Sequence, residues 1–315
     1  MKFHCPNCNN KSDFLFKVSD FNKGDLDKKF DYQRCPACHL IFLPEIPTDL
    51  ADYYDDNYYE PYLPETFLKI AKKNLYQIQM IQKFVTSGRL LEIGPGKGIF
   101  AHVAKQAGFE VDVIEMSDLS CDYLSKVVGA NVIKSDRPQD AISTLDKYNV
   151  IAAWHCIEHL PDPWAFLDSA ANNLAPGGVL LIATPNPNSF QFNVLGPTWT
   201  HLDPPRHLYL IPAKILIQRL KPFGLEPVMQ TYNDRGGKYL NREGWQCYLM
   251  EKFSKRFAFD YNMPEWERKL WALFGFAFSL PLTLWERTGA RGAAYVMILQ
   301  KNKLPTKSTQ KSKTK

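Results

Sequence analysis

The sequence lacks an uncharged apolar run of the roughly 20 residues that a membrane-spanning helix needs. Its candidate, residues 270–285 (LWALFGFAFSLPLTLW), stops at 16 and contains Pro281. The basic-then-apolar start of a secretion signal is also missing, since the chain opens MKFHCPNCNNK. A reducing, cytoplasmic compartment is therefore expected. No internal repeat is visible, so repeat architectures are set aside. Net charge is small, 38 Lys+Arg against 33 Asp+Glu, and the excess is local. Residues 301–315 hold six lysines and no acid, which leaves 32 bases against 33 acids elsewhere. A near-neutral body argues against a DNA partner, and the Lys-rich tail is expected to be disordered. What remains, 315 residues of which 45% are hydrophobic, fits a folded chain with a large core.

Cysteine is sparse and unevenly placed. Four of the seven fall in the first 38 residues, as Cys5-Pro-Asn-Cys8 and Cys35-Pro-Ala-Cys38. Each C-x-x-C pair makes a tight knuckle, and two knuckles complete a tetrahedral zinc site. Asn9 and His39, each following the second Cys of its pair, tolerate positive φ better than most non-glycine residues. Cys5, Cys8, Cys35 and Cys38 are thus expected to hold a structural zinc. Four thiolates leave no open position for catalysis, and the metal would stabilise a unit too small to fold alone.

Residues 1–44 form this zinc-ribbon unit, with strands expected at 13–18 and 30–34. A linker and a helix (about 65–86) fill 45–88 and include a Tyr-rich stretch at 52–62. From 89 to 300 short apolar runs alternate with helical patterns. Strands are expected at 89–93, 110–114, 131–134, 149–154 and 179–184. Helices fall near 99–107, 119–128 and 163–174. A Pro-rich connection reaches about 210, followed by a helix at 212–221 and strands near 225–230 and 293–300. An aromatic-rich insertion occupies about 240–290. Apolar runs of four to six residues separated by helices indicate an α/β fold with a doubly wound, Rossmann-like parallel sheet.

The run Glu92-Ile-Gly94-Pro-Gly96-Lys-Gly98 leads from the first of these strands into a helix. Glycines let the backbone turn and approach a ligand at the strand's carboxyl end. Glu115, 21 residues after Gly94, ends the next strand, where an acid can bond a ribose diol. A dinucleotide fingerprint needs G-x-G-x-x-G, and here the third glycine comes one residue early. The E-x-G-x-G-x-G run with Glu115 resembles the first two motifs of class I S-adenosylmethionine-dependent methyltransferases. Residues 154–163 (WHCIEHLPDP) and 174–186 (LAPGGVLLIATPN) resemble the same family's later motifs. The resemblance covers about residues 65–235. It implies S-adenosylmethionine as cofactor. Gly94, Gly96 and Gly98 would line its methionine and ribose portion, with Glu92 supporting the loop or the amino group. Glu115 would hold the ribose hydroxyls, Met116 would pack on adenine, and Ser135 and Asp136 would meet the adenine edge. His155 would contact the cofactor after the fourth strand. Asn149 stands where relatives commonly carry Asp, with a local hydrogen-bonding effect expected.

Glu158 and His159 are placed like the Glu-His of ubiquinone-biosynthesis O-methyltransferases. There an E-x-x-E-H cluster is associated with a divalent metal, whereas this chain has H-x-x-E-H. A divalent metal near Glu158 and His159 is one reading; Glu158 capping the next helix, with histidines lining the pocket, is the other. A second polar group, Thr200-His201-Leu-Asp203-Pro-Pro-Arg206-His207, belongs to a loop expected over the pocket, with His207 or His201 a candidate base or an anchor. Glu158, His159 and His207 are the candidates for acceptor activation. The tyrosines 53, 54, 58, 59 and 62 either close the pocket or pack between units. Residues 1–44 carry seven bases and five acids, weak support for an RNA grip. The expected activity is O-methylation of a small metabolite, a sugar-linked intermediate or a lipophilic precursor. An RNA methyltransferase using the ribbon and a non-catalytic zinc-stabilised adaptor are the alternatives. Residues 270–285 are expected to pack in a core or dimer, to form a lid over the pocket for a lipophilic acceptor, or to meet a membrane surface with help from the tail.

Overall fold

The computed structural model describes residues 3–20, 22, 25–54, 62–254 and 263–303. Tyr58, Tyr59 and the tail beyond 303 lie outside them. Seven strands form the main sheet: β4 (Gly88–Ile93), β5 (Phe109–Glu115), β6 (Asn131–Lys134), β7 (Tyr148–Trp154), β8 (Leu174–Pro185), β10 (Leu225–Thr231) and β11 (Ala294–Lys301). Their order is β10-β11-β8-β7-β4-β5-β6. The five strands from β8 to β6 run parallel, while β11 is antiparallel to both neighbours.

Alternate residues of the central strands enter two separate cores. Leu90, Val113, Val150 and Leu181 face helices α1 (Pro64–Ile81) and α2 (Ile99–Gln106). Leu91, Ile151, Leu180 and Ile182 face α5 (Pro163–Asn173) and α7 (Ala213–Leu220) through Phe166, Leu167, Ile215 and Leu216. This two-faced burial makes the strands read as continuous apolar runs, and it confirms the doubly wound α/β architecture. Between them come α3 (Asp118–Tyr123), continued as a wider turn to Val128, and α4 (Pro138–Ser143). Sequence pattern gave no sign of α4, which is only six residues long. Helix α1 stops at Ile81 rather than near 86, and β8 begins at Leu174, through the Pro-Gly-Gly expected to precede it.

A second, four-stranded antiparallel sheet has the order β1-β2-β3-β9. Strands β1 (Asp13–Asp20), β2 (Asp25–Arg34) and β3 (Ile41–Phe42) belong to the cysteine-bearing N-terminal segment. Strand β9 (Tyr209–Leu210) does not; it comes from the connection after β8, with Ile41 opposite Leu210 and Phe42 opposite Tyr209. The N-terminal segment thus shares a sheet with the loop over the main sheet's carboxyl edge. A buried ionic knot reinforces the joint. Arg206 donates to both oxygens of Asp20 (2.7 and 2.9 Å) and to both of Asp203 (2.9 and 2.6 Å). Asn22 donates to Asp203 (2.7 Å) and to the Thr200 carbonyl (2.8 Å), and the Tyr32 hydroxyl to the His207 carbonyl (2.6 Å).

The insertion is a helical hairpin, α8 (Arg235–Ser254) and α9 (Glu265–Glu286), so it spans 235–286 rather than 240–290. Between β8 and β9 lies the short helix α6 (Phe190–Leu195). Pro281 does not interrupt α9. It and Ala277, whose carbonyl it leaves without an intrahelical bond, are both exposed, so water can satisfy that carbonyl.

Candidate active site

The site lies where the sheet order reverses. Strand β4 pairs with β5 on one side and β7 on the other, and the crevice beyond their carboxyl ends is the natural ligand site of such sheets. A cleft of about 280 Å³ opens there. Its floor includes Gly94, Gly96, Glu115, Met116, Ser135, Asp136, His155 and Cys156. Leu50, Ala51 and Tyr54 of the N-terminal segment also line it, with His159, Leu160 and Pro161. Most of the cofactor residues read from the motifs are therefore brought together. Glu92 and Gly98 stand just behind the lining. Gly98 is the N-cap of α2 with φ +71, and a Cβ there would press on Leu124 and Val128. Gly94 (φ +60) and Gly96 (φ +53) differ in their surroundings. A Cβ at Gly94 would come 2.7 Å from the Cys156 sulfur, whereas one at Gly96 would meet nothing within 4 Å.

The two acids are buried in different ways. Glu115 Oε1 accepts the backbone N–H groups of Met116 (2.8 Å) and Ser117 (2.9 Å). Burial raises its pKa against those bonds and the Gly96 N–H. Glu92 is 2% exposed, and burial, with the nearby Glu115 charge, pushes it up to about 8. Its Oε2 has no hydrogen-bond partner. Asn149 acts locally: its Oδ1 accepts the Arg89 N–H at 3.0 Å.

Beside the cofactor end sits a second cluster. His155 holds φ +49 at the end of β7, an uncommon conformation for a non-glycine residue. Its Nδ1 lies 3.6 Å from Glu158 Oε1. Burial opposes ionisation of His155, yet the Glu158 carboxylate raises its pKa. Glu158 is fully buried and accepts the Thr184 hydroxyl at 2.9 Å. Burial works against its charge, but His155, His207 and His159 together hold it down to about 2. Glu158 does not cap the following helix; Asp162 does, accepting the Ala165 N–H at 2.9 Å. The His159 and His207 rings meet edge to face at 4.6 Å. His159 Nδ1 donates to the Arg206 carbonyl (3.0 Å) and His207 Nδ1 to the His201 carbonyl (2.9 Å). Carbonyls only accept, so each Nδ1 carries the proton and each Nε2 is the accepting nitrogen. Burial and the neighbouring His207 ring lower His159 to about 4.

Of this cluster only His155 and His159 line the cleft; Glu158 and His207 lie behind it. His201 is elsewhere, its Nε2 on the Leu240 carbonyl at 2.9 Å, and it anchors the loop to α8. Arg206 and Asp203 belong to the buried knot. Tyr54 was read only as one of five tyrosines. Its hydroxyl lies 3.0 Å from His159 Nδ1, and it roofs the cleft. Tyr53 is buried against Phe30, and Tyr62 sits under the Lys97 ammonium at 4.4 Å.

The four N-terminal sulfurs converge. Cys5–Cys38 and Cys8–Cys35 are 3.5 Å apart and Cys8–Cys38 is 3.6 Å. Two matching knuckles bring them there: Asn9 and His39 have φ +56 and +63, and their N–H groups bond the Cys5 and Cys35 carbonyls at 2.8 and 2.9 Å.

Comparison with known proteins accords with this geometry. Ubiquinone biosynthesis O-methyltransferase of Cereibacter sphaeroides is 26% identical over 184 residues, covering 52% of this chain and 68% of that protein. Its counterpart in Bordetella avium is 28% identical over 179 residues, covering 52% and 74%. The crystal structure of a SAM dependent methyltransferase from Archaeoglobus fulgidus aligns with a TM-score of 0.50 at 18% identity, over 73% of this chain and 94% of that one, a likeness of fold. Residues 65–230, more than half of the chain, match the family described as methyltransferase domain, and this chain belongs to that family.

Proposed function

We propose that the chain transfers a methyl group from S-adenosylmethionine to an oxygen of a small acceptor, lipophilic or sugar-linked, with His159 taking the acceptor's proton. The observation that carries this reading is the cleft itself. It joins a glycine loop and a ribose-binding carboxylate to an imidazole whose Nε2 is unprotonated. The residues fit the donor. Glycine at 96 leaves the loop backbone open to the cleft, Glu115 keeps one oxygen for the ribose hydroxyls, and Glu92 offers an unpartnered buried oxygen. When bound, S-adenosylmethionine supplies an electrophilic methyl on a sulfonium. The chain's task is to align the acceptor and remove its proton. His159 is held for this by the Arg206 carbonyl, and Glu158 and His207 are positioning residues beside it. The names of the relatives favour an oxygen acceptor, and the apolar roof of Leu50, Ala51, Leu160 and Pro161 favours an acceptor with an apolar body.

Zinc on Cys5, Cys8, Cys35 and Cys38 belongs to the same reading. Sulfur separations of 3.5–3.6 Å are close to the roughly 3.8 Å edge of a tetrahedron with Zn–S bonds of about 2.3 Å. Its sheet is committed to the 200–210 loop, which favours a structural part for it over an RNA grip. A divalent metal on Glu158, His159 and His207 is a second reading. It is favoured by ligand atoms within 4.8 Å of one another and by the two Nδ1–carbonyl bonds that orient imidazole ligands.

Transfer of labelled methyl from S-adenosylmethionine into fractions of a cell extract tests the activity. Label in small molecules or lipids supports it; label confined to RNA, or none at all, overturns it. The double variant His159→Ala/His207→Ala should lose roughly 10²- to 10⁴-fold in rate. Retained turnover would remove both histidines from the chemistry, and an activity insensitive to chelators would remove the second metal.

A further inference from the structure

Helix α9 is built inside out. The side packed on α8 carries small and polar residues, with Gly275, Ser279 and Thr283 recurring every fourth position and buried. The contact is close: a Cβ on Gly275 would come 2.9 Å from the Gln246 side chain. At the helix end, Trp245 of α8 donates to the buried Glu286 at 3.0 Å. The opposite side carries Leu270, Leu273, Phe274, Leu284 and Trp285, all exposed by 52–67%, while Phe278 flanks the contact against Trp245. A helix meeting water places its apolar side inward. Small residues at the helix contact with large apolar ones outside is the pattern of a helix pair facing lipid. Among the described residues no helix is long and apolar enough to cross a membrane, so such a pair would lie in a membrane surface.

A second feature selects the kind of surface. Along one margin of the apolar side, Phe276, Leu280, Thr283 and Arg287 form a single stripe. With Lys238, Tyr239 and Arg242 of α8 and with Ser279 they line a recess of about 270 Å³. It contains three exposed cations and no carboxylate. None of the three is within salt-bridge distance of a described acid; Arg242 lies over the Tyr239 ring at 5.5 Å, and its charge acts against burial on the neighbouring Glu243, which accepts the Tyr239 hydroxyl at 3.2 Å. Three exposed cations beside three hydroxyls and an apolar face match an anionic headgroup with its acyl chains alongside.

We propose that the α8–α9 hairpin docks the protein on an anionic phospholipid surface, its apolar side in the acyl boundary and Lys238, Arg242 and Arg287 on phosphate headgroups. The docking is read by binding alone and does not depend on the identity of the methyl acceptor. The full chain is sedimented with phosphatidylglycerol/phosphatidylcholine vesicles, with pure phosphatidylcholine vesicles, and with inorganic phosphate as competitor. The expected result is anionic-vesicle binding with a blue shift of tryptophan emission, from Trp266 and Trp285, and little competition by phosphate. The triple variant Lys238→Ala/Arg242→Ala/Arg287→Ala, and separately Phe274→Asp/Leu284→Asp, should each bind at least roughly 10-fold more weakly. Both should keep wild-type S-adenosylmethionine affinity, the check that they fold. Deletion of 304–315 separates the tail's contribution. The proposal is overturned by three results: no preference for anionic vesicles, binding lost only with the tail, or an apolar side covered by a second copy. The last would appear as a dimer dissolved by Phe274→Asp/Leu284→Asp with no vesicle binding.

Discussion

Gly94 and Gly96 occupy the same backbone region, but different neighbours make them separable. Gly96→Ala adds a methyl into open cleft, so its folding cost is the left-handed penalty of about 1–2 kcal/mol, while the donor's space is invaded. Gly94→Ala carries the same penalty and also drives a carbon into Cys156. Thermal melting should place Gly94→Ala well below Gly96→Ala, with both weakened in donor binding. Glu115→Ala should reduce donor affinity by about 2–3 kcal/mol, roughly 30- to 160-fold by calorimetry, for the loss of hydrogen bonds to a charged acceptor. Unchanged affinity would refute the ribose assignment. The positions of these residues were legible in the sequence because a strand–glycine–helix turn and the acid ending the next strand are local features of fixed geometry. Arg206 was not. Its neighbours in the chain suggested acceptor chemistry, but of the two carboxylates that claim it only Asp203 is nearby in sequence, and Asp20 is 186 positions away.

The knot at Arg206 decides how two sheets behave as one element. Arg206→Met leaves Asp20 and Asp203 buried without their cation, and the expected cost is about 3–5 kcal/mol, seen as a lower urea midpoint. Zinc on the four thiols would have a connected effect. Strand β9 pairs with β3, and Tyr32 holds the His207 carbonyl, so loss of the thiol cluster would release the loop that orients His207 and His159. One zinc per chain is expected by elemental analysis. Its removal, or Cys35→Ser/Cys38→Ser, should lower both the melting temperature and methyl transfer. Zinc loss without effect on turnover would uncouple the two. The two-residue strand β9 has no period to detect, which is why the 186–210 connection read only as a polar loop. The main strands read correctly because burial on both faces leaves runs of Val, Ile, Leu and Ala in the sequence itself.

Across the whole molecule, two buried acids tie stability to pH. Glu92 is pushed up to about 8 and Glu286 to about 7, both chiefly by burial. Each binds its proton more tightly folded than unfolded. Their contribution is therefore complete below the ordinary carboxylate value of 4.5 and is lost as pH rises through 7–8. Melting of the donor-free protein should fall across that window. Glu92→Gln and Glu286→Gln should each flatten part of the slope, and an unchanged slope in both would show that these acids ionise freely.

By itself the sequence determined the doubly wound sheet, the glycine loop, the placement of Glu115 and the pairing of the cysteines. Each rests on a short-range pattern: strand burial, a turn that only glycine fits, or knuckle spacing. The same run of letters marked 270–285 as apolar without saying which side of the helix would face the protein. Tertiary structure alone decided that, because the close contact at Gly275 turns the small residues inward and the aromatic ones out. It also decided that Leu50, Ala51 and Tyr54 line the cleft and where the end of β11 lies. Lys303 there packs on Gly177, at the opposite end of the strand from the hairpin. Such facts depend on residues distant in the chain meeting in space, and local pattern carries no record of them.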